Sequence, residues 1–225
     1  MKLFKQITVI AIIFFSLTIH GQVKIKFGKI SKEELTKEES TIEESAAAEV
    51  LAEYGNLSYR LDSEGSIFFD LEVHKRIKIY NTNGFDYANI SIPYYAGAGS
   101  DKVNIDYVKG ATYNLEDGKM VKTKLTNDLM VTENDSKYHK TKKLTFAQVK
   151  EGSVIEYKYT MSSNRFWDIP DWTFQEAIPV VWSQYSSSIP EWFAVKPIGQ
   201  GYIPYAINDF STNTGSSAVF PGVTW

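Results

Sequence analysis

The chain has no cysteine at any of its 225 positions. This absence removes thiol nucleophiles, thiolate metal sites, disulfides and thiol redox chemistry together, and with them every cysteine-hydrolase mechanism. Histidine is nearly as scarce. Only His20, His74 and His139 occur, and none has a ligand-spaced companion. For His74 the functional reading is proton transfer or metal ligation, but a polar residue on the wet face of a strand accounts for it better. His139, within a Lys-rich hairpin, is read the same way. No catalytic residue, metal ligand or cofactor site is assigned.

Surplus positive charge is missing too. Lys and Arg number 24 against 27 Asp and Glu, a formal net charge of −3, so there is no electrostatic footprint for nucleic acid. The short stretch Lys137 to Lys143 reads as a solvated strand edge. Neither a run of about 20 apolar residues, which a membrane-spanning helix needs, nor a βαβ alternation is present. The second absence excludes a parallel nucleotide-binding sheet.

The longest apolar run, Ile7 to Ile19, follows Lys2 and Lys5 and ends at His20-Gly21-Gln22. This is the layout of a secretory signal peptide, with cleavage expected near Gly21. The protein is then exported to the periplasm or cell surface, with no membrane anchor after cleavage. Lipid anchoring would need a cysteine at the cleavage point. Loss of residues 1–21 leaves 22 basic against 27 acidic residues and a net charge of −5. A mature chain of about 200 residues can hold one large β domain without disulfides, since 43% of the sequence is hydrophobic and 14% aromatic.

Residues 22–56 are read as an N-terminal strand and helical segment packed on the β domain. Val23, Ile25 and Phe27 alternate with Lys24, Lys26 and Gly28, as in a short strand. Ser31 with Glu34, and Thr41 with Glu44, form capping-box pairs that predict two short helices. The second is supported by the four-residue recurrence of Ile42, Ala46, Val50 and Tyr54, with Gly55 as its stop.

Residues 57–225 change period. Ile67, Phe69, Leu71, Val73, Ile77 and Ile79 line one face of a long strand, while Asp70, Glu72, His74, Arg76 and Lys78 line the other, which is expected to face water. Further strands are predicted at 87–92, 103–108, 111–115, 120–124, 143–149, 153–162 and 180–189. Asn83-Gly84, Asp117-Gly118 and Glu151-Gly152 supply tight turns between strands. The fold class is therefore mostly β, an antiparallel β-sandwich-like domain with one or two short N-terminal helices. The apolar end at Trp225 reads as a cut in a longer chain.

One cluster invites a binding interpretation. Trp167, Asp168, Asp171 and Trp172 interleave acids with flat rings, as a sugar-binding cleft does. The same residues also read as a loop bearing core aromatics, and that reading is favoured. Ala96 to Ser100 is glycine-rich but lacks the lysine and following helix of a phosphate cradle. Residues 114–118 lack the alternating acids of a calcium loop.

Three segments carry a family resemblance: Ala111-Thr112-Tyr113-Asn114 with Asp117-Gly118-Lys119; Phe146 to Tyr157, containing Glu151-Gly152-Ser153; and Trp172-Thr173-Phe174-Gln175 followed by Ile178-Pro179-Val180, Ser183, Tyr185 and Ile189-Pro190-Glu191. Together they resemble the DUF3857 domain of exported Bacteroidetes proteins, over roughly Ser31 to Trp192. Ala147-Gln148 departs from the leucine-proline pair often found before the glycine turn. The resemblance implies a β-rich, non-catalytic module that precedes a transglutaminase-like domain of cysteine-protease type and positions it or supplies its peptide or glycan substrate. It transfers no catalytic residue to this chain. The rival is an independent glycan- or cell-wall-binding protein using the aromatic cluster 167–192.

Overall fold

The computed structural model describes residues 25–97, 101–191, 193, 198–201 and 204–209. The expected signal segment 1–21 lies outside them, as do Val23 and Lys24. Residues 25–30 form a turn and irregular chain rather than a strand. The first expected helix is present as α1, Lys32–Thr36, with both halves of its capping box made. The Glu34 amide donates to Ser31 Oγ at 3.1 Å, and the Ser31 amide donates to Glu34 Oε2 at 2.7 Å.

The second expected helix does not form. Its residues run instead into β1, Ala48–Leu61, so the position 56–57 boundary falls inside a strand. Intrinsic preference favours helix for this Ala- and Glu-rich stretch, but tertiary pairing overrides it. β1 hydrogen-bonds antiparallel to β2, Ile67–Ile79, on one side and parallel to β9, Ser183–Ser187, on the other. Gly55, which reads as a helix stop, lies mid-strand for a different reason. A Cβ there would sit 2.6 Å from the Trp172 ring, so glycine makes the seat on which that tryptophan packs.

Two sheets result. The larger has six strands in the order β5-β4-β8-β2-β1-β9, with β4 at Asn104–Glu116, β5 at Lys119–Lys124 and β8 at Val154–Ser163. The smaller has the order β3-β7-β6, with β3 at Asn89–Tyr95, β6 at Met130–Asn134 and β7 at His139–Thr145. All strand pairs except β1–β9 are antiparallel, and the architecture is mostly β with few helices. Asp117-Gly118 makes the expected β4–β5 hairpin, both residues having positive φ (49° and 73°).

Four sequence expectations shift. Asn83-Gly84 is not a hairpin turn but part of a 3-10 segment, Thr82–Ala88, that carries the chain between sheets. The strands expected at 103–108 and 111–115 are one strand, β4, bent by a bulge between Asp106 and Lys109. β6 has no counterpart among the expected strands. The Lys137–Lys143 stretch feeds β7, the central strand of its sheet and not an edge.

The core lies between the sheets. Val50, Leu57, Phe69, Leu71, Ile77 and Ile155 from the large sheet meet Ile92 and Leu144 from the small one and Phe146 just after it. The irregular segment between β8 and β9 adds Ile178, Trp172 and Phe166 to the same cluster. A second, smaller core sits on the opposite face, where Leu35 of α1 covers Ala111, Tyr113 and Val154.

Candidate functional site

The face of the large sheet turned away from the main core carries nearly all its organised polarity. Because side chains alternate along a strand, β2 presents Asp70, Glu72, His74, Arg76 and Lys78 on this face. β1, β8 and β4 add residues beside them in register. The expectation of a uniformly wet face fails at one end, where Arg76 is 2% exposed and Lys78 fully buried. The cause is the N-terminal segment, which folds back over it.

At this closed end Glu156 of β8 is the hub. Its Oε1 accepts from Arg76 Nη2 at 2.6 Å and lies 3.1 Å from His74 Nε2. Its Oε2 accepts from the Gly28 amide at 2.7 Å and from the Tyr113 hydroxyl at 3.0 Å. Burial pushes this carboxyl up, but the bonds from His74, Arg76 and Gly28 together outweigh burial and hold it at about 2. Tyr113 moves the other way, raised by burial and by the Glu156 charge.

Arg76 also donates to Glu34 Oε1 at 2.5 Å, so the acid that caps α1 also pairs with the sheet. Lys78 Nζ donates to the carbonyls of Leu35 at 2.8 Å and Gly152 at 2.6 Å. Burial, reinforced by the Lys37 charge, lowers its amine to about 8. Nearby, Glu49 takes Lys37, Ser40 Oγ at 2.5 Å and Tyr80 Oη at 2.7 Å. The Glu156 carboxylate, held this low and met by four partners, is a fixed anion and not a proton acceptor near neutral pH. Its chemistry here is to fasten the N-terminal cover to the sheet.

The other end of the same face is open. A concavity of about 370 Å³ is lined by β1, β2, β8 and the β4 bulge. Arg60 is fixed there, its Nε donating to Asp70 Oδ2 at 2.6 Å and its Nη2 to Ser162 Oγ at 2.9 Å, with the guanidinium carbon 4.6 Å from the Phe68 ring centre. At the rim Tyr107 is 76% exposed and holds φ at +53°, a conformation that few non-glycine residues adopt.

The four residues singled out for ligand binding have different environments. Trp167 is 62% exposed, beside the Phe166 ring and under the Arg165 guanidinium. Asp168 Oδ2 accepts from Arg165 Nε at 3.0 Å and Nη2 at 2.9 Å. Asp171 is exposed. Trp172 packs on Gly55 and on Tyr185, ring centres 5.4 Å apart, and its Nε1 donates to Ser183 Oγ at 3.1 Å. Its ring joins the main core, as the core-aromatic reading has it.

Sequence reasoning missed Glu156, the Arg60–Asp70 pair and Tyr107. For Tyr107 the only signal was indirect: it lies within the expected strand 103–108, and the break at 109–110 falls just beyond the bulge between Asp106 and Lys109. His139 is exposed, near Ser136 Oγ and the Tyr95 ring. On the main-core face, Lys75 pairs with Glu53 at 3.2 Å and with Glu176, and burial raises the Glu53 carboxyl. Among the described residues no three His, Cys, Asp or Glu side chains gather as a metal site, and no helix is long and apolar enough to cross a membrane.

A family model described as a domain of unknown function with a solved structure, DUF3857, matches residues 69–200. No curated protein matches the chain. Among solved structures, a protein of Parabacteroides distasonis provisionally described as a protease is similar at 16% identity and a TM-score of 0.48. The likeness covers 65% of this chain and 29% of that one, so this chain spans less than a third of that protein.

Proposed function

Because the chain belongs to the DUF3857 family, we propose that it is an exported, non-catalytic β module that positions, or supplies substrate to, a transglutaminase-like domain following it in the same polypeptide. The observation that carries this reading is the way the chain is stapled to the sheet after β8. Backbone bonds from Val50 to Pro179, Glu53 to Trp182, Val181 to Val50 and Ser188 to Leu57, each 2.9 Å, fix both ends of β9. Trp172 locks the preceding loop into Gly55. The chain leading out of the module is thereby held on the sheet as far as Ser188, which shortens the free segment before a following domain.

The internal pairing of Glu156, Arg76, Glu34 and Glu49 supports the same reading, because these groups are spent on holding the module together. The test is a pair of spin labels, one on the exposed strand β5 and one on the following domain of the full polypeptide. A narrow distance distribution is expected, broadening when Gly55→Val expels Trp172. A broad distribution in the unaltered protein overturns the proposal. So does peptidase or transglutaminase turnover by the 225-residue chain that a point substitution abolishes.

A second reading, glycan or cell-wall binding through the 167–192 cluster, is favoured by the exposure of Trp167 alone. It expects polysaccharide fragments to be lost from a Trp167→Ala variant, measured by calorimetry.

A further inference from the structure

We propose that the open end of the polar sheet face is a binding subsite for a neutral oligosaccharide, with the Tyr107 ring as its platform. It shares no residue with the 167–192 cluster. The concavity of about 370 Å³ falls in the ~300–1,000 Å³ range of small-ligand clefts, but its walls are polar, which excludes an apolar ligand.

Charge narrows the choice. Arg60 is neutralised by Asp70, and Glu72 faces Lys158 at 3.4 Å. Asp106 adds a carboxylate with no side-chain partner among the described residues, so a phosphate or sulfate group meets repulsion here.

Backbone geometry narrows it again. Across the floor β1 pairs with β2, β2 with β8 and β8 with β4, so a peptide lying in the concavity meets no open edge beneath it. The free edges, β1 beyond Leu57 and β4 before Ala111, lie at its sides. The side chains that remain are those of Asn56, Ser58 and Thr160, an amide and two hydroxyls with no side-chain partner among the described residues. Such groups both donate and accept, as sugar hydroxyls do. Arg60 is held rigid by Asp70, Ser162 and Phe68, so little side-chain freedom is lost when a ligand bonds to it.

Tyr107 completes the set. An aromatic ring presents a flat apolar face with a polar tip, which suits the C–H face of a pyranose. Its positive φ and the bulge hold it out from the sheet instead of letting it lie in the pleat, and strained backbone of this kind persists where the surrounding structure enforces it.

Calorimetric titration of the folded chain with cellohexaose, maltohexaose, xylohexaose and chitohexaose tests the proposal. At least one is expected to bind with a Kd below about 1 mM. Tyr107→Gly, which accepts the same φ without strain, should weaken that binding by about tenfold or more, the usual loss when an anchoring ring is removed. Asn56→Ala, at an exposed position, should weaken it too, and serves as the second variant if Tyr107→Gly does not fold. Trp167→Ala should leave it unchanged. Absence of binding by all four sugars at millimolar concentration overturns the proposal, as does binding that survives both site variants or is lost in Trp167→Ala.

Discussion

Strand β2 carries one row of polar side chains through two environments. At one end Arg76 and Lys78 are buried beneath residues 25–45, and every charge has a designated partner. At the other, Asp70 and Glu72 line an open concavity. The strand runs between β1 and β8 at both ends and keeps its alternation, with one register shift in β1 between Val50 and Ala52 opposite the covered end. What differs is the presence of a cover, so the value of each charge is set by a segment that comes before β1 in the chain. Buried ion pairs are costly to break because the abandoned partner stays out of water, whereas exposed pairs contribute little.

That contrast can be broken most severely at Arg76. Arg76→Met strands Glu156 and Glu34 and is expected to destabilise the fold by about 3–5 kcal/mol, read as a lower urea midpoint. Next comes acid. The Glu156 carboxyl lies at about 2 in the folded chain against an ordinary 4.5, so its contribution is present above pH 4.5 and is lost as pH falls toward 2. The shift corresponds to roughly 3 kcal/mol. Urea titrations at pH 5 and pH 2.5 should show Glu156→Gln, less stable at pH 5, losing less over that interval than the unaltered protein.

Smaller effects sharpen the comparison. Ser31→Ala removes the side-chain cap of α1 and should cost about 1 kcal/mol without unseating Arg76, a change visible in hydrogen exchange across 32–36. Glu72→Gln at the open end should shift stability by less than about 0.5 kcal/mol. A Glu72 effect as large as that of Arg76 contradicts the claim that cover decides the value of these charges.

Much of the fold was legible because its signals are local. The period-two pattern of β2 and β8, the Asp117-Gly118 hairpin and the Ser31/Glu34 capping box each depend on residues within one element. The misreadings share the opposite property. Val50 and Tyr54 sit in a stretch whose composition favours helix, and only β2 and β9 make it a strand. β6 is short and largely exposed, so it leaves no periodic trace. Arg76 and Lys78 fit a wet face until residues 25–45 close over them. At the candidate sites, composition identified Trp167 and Trp172 equally, although only Trp172 has a glycine seat waiting for its ring. Tyr107, lacking any motif, fell inside the expected strand 103–108, and the break after it marked only the neighbourhood of the bulge.

The parallel pairing of β9 with β1 bears on the order in which the chain can mature. β1 emerges well before β9 during synthesis, and one of its edges stays unsatisfied until Ser183–Ser187 arrives to meet Glu53–Leu57. Pairings between such distant segments form slowly, and an unpaired strand edge invites association with other chains in the meantime. The nascent polypeptide therefore passes through an interval of vulnerability that ends only when its late aromatic stretch has been delivered.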